Sequence, residues 1–108
     1  MLFRSKEGPG PDPVEWLRDA AVLELIYSSG LRISEVCSLK VGQVDLTEKT
    51  LRVVGKGRKE RVSPIGRFAA RALDNWLAVR QPDTTAAATH QQAMFLNKSG
   101  RQIGRAHV

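Results

Sequence analysis

Cysteine is almost missing from this chain of 108 residues: Cys37 stands alone. One thiol cannot close an internal disulfide or build a cysteine-rich zinc site. Histidine is nearly as scarce, with His90 in a polar stretch and His107 next to last. No cluster of His, Asp and Glu has the spacing of metal ligands, so no metal is expected. No serine or cysteine is accompanied by a plausible base. Long apolar runs are lacking too, so no membrane span is expected. Residues 1–13 (MLFRSKEGPGPDP) hold Arg4, Lys6 and three prolines where a secretory signal would need an apolar segment. These features together predict a cytoplasmic protein. Acids are the minority charge, 11 against 17 basic residues, which leaves a net charge of +6. That balance favours a polyanionic partner, nucleic acid before membrane, with a soluble basic protein as the alternative.

The pattern along the chain predicts an α+β domain that is mainly helical, with a small three-stranded antiparallel sheet. Residues 1–13 read as a linker or frayed end, and 14–108 as the domain. Asp12-Pro13 opens a helix running to Ser29, with Gly30 as its C-terminal cap. Its inward face carries Leu17, Ala21, Val22, Leu25 and Ile26; Arg18, Asp19 and Glu24 mark the wet side. Tyr27, the sole tyrosine, reads as a packing residue on this helix. Ser34, able to cap, opens a second helix to about Lys40, with Val36, Cys37 and Leu39 turned inward. Strands follow at Val44–Leu46, Leu51–Val54 and Glu60–Pro64, and Pro64 suits an edge. From Gly66 to Arg80 a helical row returns, with Phe68, Ala72 and Trp76 beside Ala69, Leu73 and Leu77. Gln81-Pro82 stops it. Residues 83–92 form a polar loop, Met94-Phe95-Leu96 an apolar anchor, and the remainder shows no convincing element.

Chemistry concentrates at two places. Arg32 sits where one helix ends and the next begins. A guanidinium at a crowded turn is costly unless an anion or an acid answers it. Its planar fork suits two non-bridging phosphate oxygens. Glu35, one turn on, could orient that fork or serve the helix dipole. The second place is the hairpin tip. Between Arg52 and Arg71 lie seven basic residues and one acid, Glu60, a density that suits a phosphate backbone, with a merely solvated turn as the alternative. Arg58, Lys59 and Arg61 are the candidate DNA contacts. Gly55-Lys56-Gly57 has neither the spacing of a nucleotide-hydrolase phosphate loop nor the third glycine of a dinucleotide fingerprint. It does permit a tight turn that pushes Lys56 outward, where a fixed lysine can hand a proton to a leaving oxygen.

Two stretches taken together resemble the tyrosine recombinases, the phage-integrase family, and its Xer-type members above all. They are Leu23-x-x-Ile26-Tyr27-Ser28-Ser29-Gly30-Leu31-Arg32-Ile33-Ser34-Glu35-Val36 and Val53-Val54-Gly55-Lys56-Gly57-x-Lys59-Glu60-Arg61-x-x-Pro64. The resemblance implies an integrase-type catalytic domain with Arg32 as first catalytic arginine, Glu35 as supporting acid and Lys56 as general acid for the departing 5′-hydroxyl. It implies double-stranded DNA as substrate, a 3′-phosphotyrosine intermediate, other recombinase subunits as partners, and no metal or high-energy cofactor. The family's His-x-x-Arg box and nucleophilic tyrosine find no match, so a truncated and inactive catalytic domain prone to self-association is expected. A non-catalytic helix-turn-helix regulator, with residues 29–44 as the motif, is the alternative. A protein-interaction remnant with a solvated basic tip is a third.

Overall fold

The computed structural model describes residues 13–104, with Lys56 described by its backbone alone. Apart from Pro13, the expected linker over 1–13 lies outside the described residues. The elements are α1 (Pro13–Ser29), α2 (Ile33–Cys37), β1 (Val44–Asp45), β2 (Thr50–Val54), β3 (Glu60–Pro64), α3 (Arg67–Val79) and α4 (Ala88–Gln92). Single 3-10 turns stand at Val41–Gln43 and Lys56–Arg58. Among the described residues no helix is long and apolar enough to cross a membrane.

Proline at its first position and glycine just past its end bound α1 as their backbone preferences require. Gly30 adopts φ +65 and its N–H donates to the Ile26 carbonyl at 3.1 Å. Ala21, Val22 and Leu25 are buried and Leu17 and Ile26 partly so, which is the expected face. Arg18 departs from expectation: it is 5% exposed. Its Nη1 donates to the Leu96 carbonyl at 3.1 Å, and its Nη2 lies 2.9 Å from Asp19 Oδ1. A guanidinium tolerates burial when a carbonyl and a carboxylate replace its water.

Two aromatics depart the other way. Tyr27 is 88% exposed and Phe68 is 63% exposed. Helical spacing groups residues into rows but does not say which row faces the core. On α1 the core direction is set by Ala21, Val22 and Leu25, and Tyr27 points away from it. On α3 it is set by Ala69, Ala70, Leu73 and Trp76, so the row that starts at Phe68 reaches the core only at its far end, in Trp76. Phe68 instead lies under the Arg67 guanidinium, 5.2 Å from ring centroid to carbon.

The sheet has the order β1-β2-β3, antiparallel throughout, with Val44 opposite Leu51 and Val53 opposite Arg61. Leu51 and Val53 alternate onto its buried face. Pro64 ends β3, an edge strand, where a missing N–H removes nothing from the ladder. α2 spans five residues, about one and a half turns, and gives way to a 3-10 turn and β1. No second helix of useful length follows the junction, so the helix-turn-helix reading has no recognition element.

Ala93, Met94, Phe95 and Leu96 are all buried, tied to α1 through Arg18, to α3 through Trp76 and to the segment after α2 by the Met94 N–H, which donates to the Leu39 carbonyl. Trp76 stacks on Phe95 at 6.4 Å between centroids, and its Nε1–H donates to the Met94 carbonyl at 2.8 Å. Before this anchor, the stretch expected as a loop contains α4, favoured by alanine's high helix propensity. After it, the chain turns back instead of trailing off. Asn97 Oδ1 accepts from the Ser99 and Arg101 N–H groups at 2.8 and 3.1 Å, and Ile103 returns to the core. Gly100, at φ +78, is the residue that allows this turn; a Cβ there would meet the Asp83 nitrogen at 2.6 Å.

Candidate functional site

The site begins where α1 stops. Leu31 is buried and fixes the junction, which leaves Arg32 as the N-cap of α2 with its side chain exposed. The crowding that would have made its guanidinium costly is not there. Ser34 is not the cap: it lies inside α2, and Glu35 performs that service. The Arg32 backbone N–H donates to Glu35 Oε1 at 2.9 Å, the reciprocal half of a capping box, in which an acid three residues in satisfies the cap amide. Glu35 therefore reaches Arg32 through its main chain, not through the guanidinium. The same Oε1 lies 3.6 Å from Arg61 Nη2 on β3.

The hairpin joining β2 to β3 supplies the other half. The Gly55 N–H donates to the Lys59 carbonyl at 2.8 Å, and the Arg58 N–H to the Gly55 carbonyl at 3.1 Å. Gly57 adopts φ +73 and Arg58 φ +61. Glycine enters that left-handed region freely; arginine does so at a cost. Lys56 occupies the first position of this bend, and its side chain lies outside the described residues. Arg58 and Lys59 stand exposed at the tip, and Arg52 pairs loosely with Glu60 at 3.7 Å.

Junction and hairpin border one open depression of about 680 Å³, lined by Ser29, Gly30, Arg32, Glu35, Gly55 and Arg61. Among the described residues no acid lies within ion-pair range of Arg32; Glu35 is engaged by the cap amide and Arg61. The depression thus brings together two guanidinium groups and one carboxylate, and among the described residues the exposed fork of Arg32 meets no protein acceptor, a chemistry suited to an anion. No group of three metal-ligating side chains exists among the described residues. His90 has a structural part, its Nδ1 accepting the Gln102 N–H at 3.1 Å.

Residues 11–108 match the model of the phage integrase family. The chain belongs to that family. Curated relatives of this integrase-family chain include the tyrosine recombinase XerC of Thermodesulfovibrio yellowstonii, 40% identical over 98% of the chain and 36% of the relative. The XerC of Actinobacillus pleuropneumoniae is 46% identical over 85% of the chain and 29% of the relative. The chain therefore spans about a third of the length of the curated relatives it matches. Among solved structures, XerA recombinase superposes with a TM-score of 0.66 at 21% identity, over 90% of this chain and 37% of that one. The Tn1549 transposon integrase in complex with circular intermediate DNA superposes at 0.62 and 20% identity, over 85% and 33%. The integrase catalytic-domain fold, mainly helical with a three-stranded antiparallel sheet, is thereby established.

Of the residues singled out in the integrase motifs, Arg32, Glu35 and Arg61 meet at the depression, and Gly55 places the backbone of Lys56 at its edge. Arg58 and Lys59 stand beyond it on the tip. What the sequence did not announce is the pairing of Glu35 with Arg61. The only available signal was strand alternation: Arg61, opposite Val53, takes the same face of the sheet as that buried residue.

Proposed function

We propose that this chain supplies the front half of a tyrosine recombinase active site, which cleaves and rejoins DNA strands. The observation that carries the reading is Arg32. It is exposed, held by its backbone, without an acid among the described residues, and beside the bend that carries Lys56. Arg32 would fork two non-bridging oxygens of the scissile phosphate and strengthen as charge builds on them. Lys56 would give its proton to the departing 5′-oxygen as the phosphorus–oxygen bond breaks. Arg58 and Lys59 would hold the flanking backbone, where each cation releases condensed counterions. Glu35 would support both by holding the junction. Tyr27, the only tyrosine, would not be the nucleophile; the phosphotyrosine link would use a tyrosine from another stretch of a recombinase polypeptide.

Duplex DNA, other recombinase subunits and a cytoplasmic setting follow from this reading. Trp16, Leu23 and Tyr27, exposed on the outer side of α1, would favour self-association of the chain alone.

The decisive experiment exchanges the matching third of a XerC relative for residues 11–108 and measures recombination of a two-site plasmid. The chimera should recombine, and Arg32→Ala or Lys56→Ala within it should cost about 10² to 10⁴ in rate. Near-normal recombination by either variant overturns the assignment. The chain by itself, incubated with a nicked suicide duplex, should form no covalent adduct; one mapped to Tyr27 would reverse the role given to that residue.

A further inference from the structure

Arg61 is more than one of the basic residues near a hairpin. Its side chain is half exposed, and it lines the same depression as Arg32. Only its Nη2 faces Glu35, at a separation of 3.6 Å that is an ion pair without a tight hydrogen bond. A guanidinium has five N–H donors in a rigid plane, so one edge held by a carboxylate leaves the others to point elsewhere. Glu35 is itself fixed by the cap amide of Arg32. One oxygen thus ties the backbone of the first arginine to the side chain of the second, 29 positions further along the chain (61 minus 32). Two like charges drawn toward one hollow, with a single carboxylate between them, leave it net positive.

We infer that Arg61 is a second phosphate-binding guanidinium, which shares one phosphodiester with Arg32 and is aimed at it by Glu35. The ligand class rests on the recombinase reading; the two-arginine cradle does not follow from that reading, which needs only Arg32 and Lys56 on this chain. Two forks on one phosphate would fix its orientation as well as its position, since each presents a plane of donors. Glu35 acts here as a positioning residue. Its carboxylate aims Arg61 while leaving the guanidinium of Arg32 free.

The test titrates the intact chain with dimethyl phosphate, the smallest phosphodiester, while heteronuclear NMR follows the side-chain Nε–H resonances of the arginines. Resonances of Arg32 and Arg61 should move together with one dissociation constant. Arg61→Ala should weaken binding roughly three- to tenfold, and Arg61→Lys should not restore it, because a point charge lacks the fork. Glu35→Gln should leave the Arg32 shift in place and shrink that of Arg61. Movement of Arg32 alone overturns the cradle and leaves the recombinase reading standing. If neither resonance moves and duplex DNA does not bind either, both fall. The wild-type titration decides the matter even if a variant fails to fold.

Discussion

Two pairs of arginines divide this molecule. Arg18 and Arg80 belong to the helical side. Arg18 is buried against the Leu96 carbonyl and two acids of its own helix. Arg80 spreads its guanidinium over the carbonyls of Gln91, Ala93 and Met94, with an Nη2 contact to Ala93 of 2.6 Å. Loss of water at that spot lowers its pKa. Arg32 and Arg61 belong to the sheet side, and there the donors face an open depression. The chemistry of the four side chains is the same. What differs is how fully the chain supplies the acceptors: among the described residues Arg32 meets none and Arg61 only the Glu35 carboxylate, and that separates an arginine that closes structure from one with donors left for a ligand.

The comparison is broken most sharply by deleting a closing arginine. Arg80→Met should destabilise the chain by about 2–3 kcal/mol, because carbonyls of the 91–94 segment lose their donor where water reaches them poorly. Urea denaturation measures it. Arg80→Lys should recover less than half, since one ammonium cannot span three carbonyls. A change below about 0.5 kcal/mol, the range of ordinary surface substitutions, would mean that solvent already serves those carbonyls and that the division between the two pairs is false.

The division was only half legible from the chain. The open pair lay beside local signals, a glycine stop and a bend flanked by glycines, although the sequence pointed to Ser34 and not Arg32 as the cap. Each of these is read within a few residues. The closing pair gave no such sign. Arg18 lies 78 positions from Leu96 and Arg80 up to 14 from the carbonyls it binds, and carbonyls leave no mark on composition. The same limit explains Tyr27 and Phe68. Periodicity found the rows on α1 and α3, yet the facing surface decides which row is inside. It also explains α4 and the 97–104 turn. Their residues, alanines in one and Asn-x-x-Gly in the other, satisfy themselves locally but need the buried 93–96 segment between them to have somewhere to fold. The three strands, by contrast, were visible because β-branched alternation and turn residues are local.

On the open side the effects should be smaller and of mixed sign. Arg58→Gly should stabilise the chain by about 1 kcal/mol, because it releases a side chain from φ +61. The same variant should bind duplex DNA more weakly. A thermal melt paired with a DNA titration reads both. Stabilisation with unchanged binding would remove Arg58 from the interface, and destabilisation would show that its side chain has a structural task. Arg32→Ala should do less still to stability, within about 0.5 kcal/mol, because no acceptor among the described residues would be orphaned. A loss as large as that of Arg80→Met would make Arg32 a closing arginine and withdraw it from the candidate site.

The smallest effect tests the comparison from the acid's side. Asp83 is a carboxylate held locally: the Thr85 hydroxyl donates to Oδ1 at 2.6 Å and the Thr85 N–H at 2.9 Å. Those bonds, the hydroxyl first, lower its pKa; slight desolvation opposes them, and Arg101 at 3.5 Å adds a lesser push downward. A carboxyl whose folded pKa is depressed contributes stability above its unfolded pKa, about 4. That contribution is lost as pH falls through the lowered native value. Stability of the wild type and of Asp83→Asn should therefore differ by a constant amount from neutral pH down to about 5. Below that the gap should narrow as Asp83 takes up its proton. Arg101→Gln should leave most of the narrowing intact, since the threonine bonds outrank the ion pair. If Arg101→Gln abolishes it, charge and not hydrogen bonding governs this turn, and the rule that closing contacts here work through donors and acceptors would fail at Asp83.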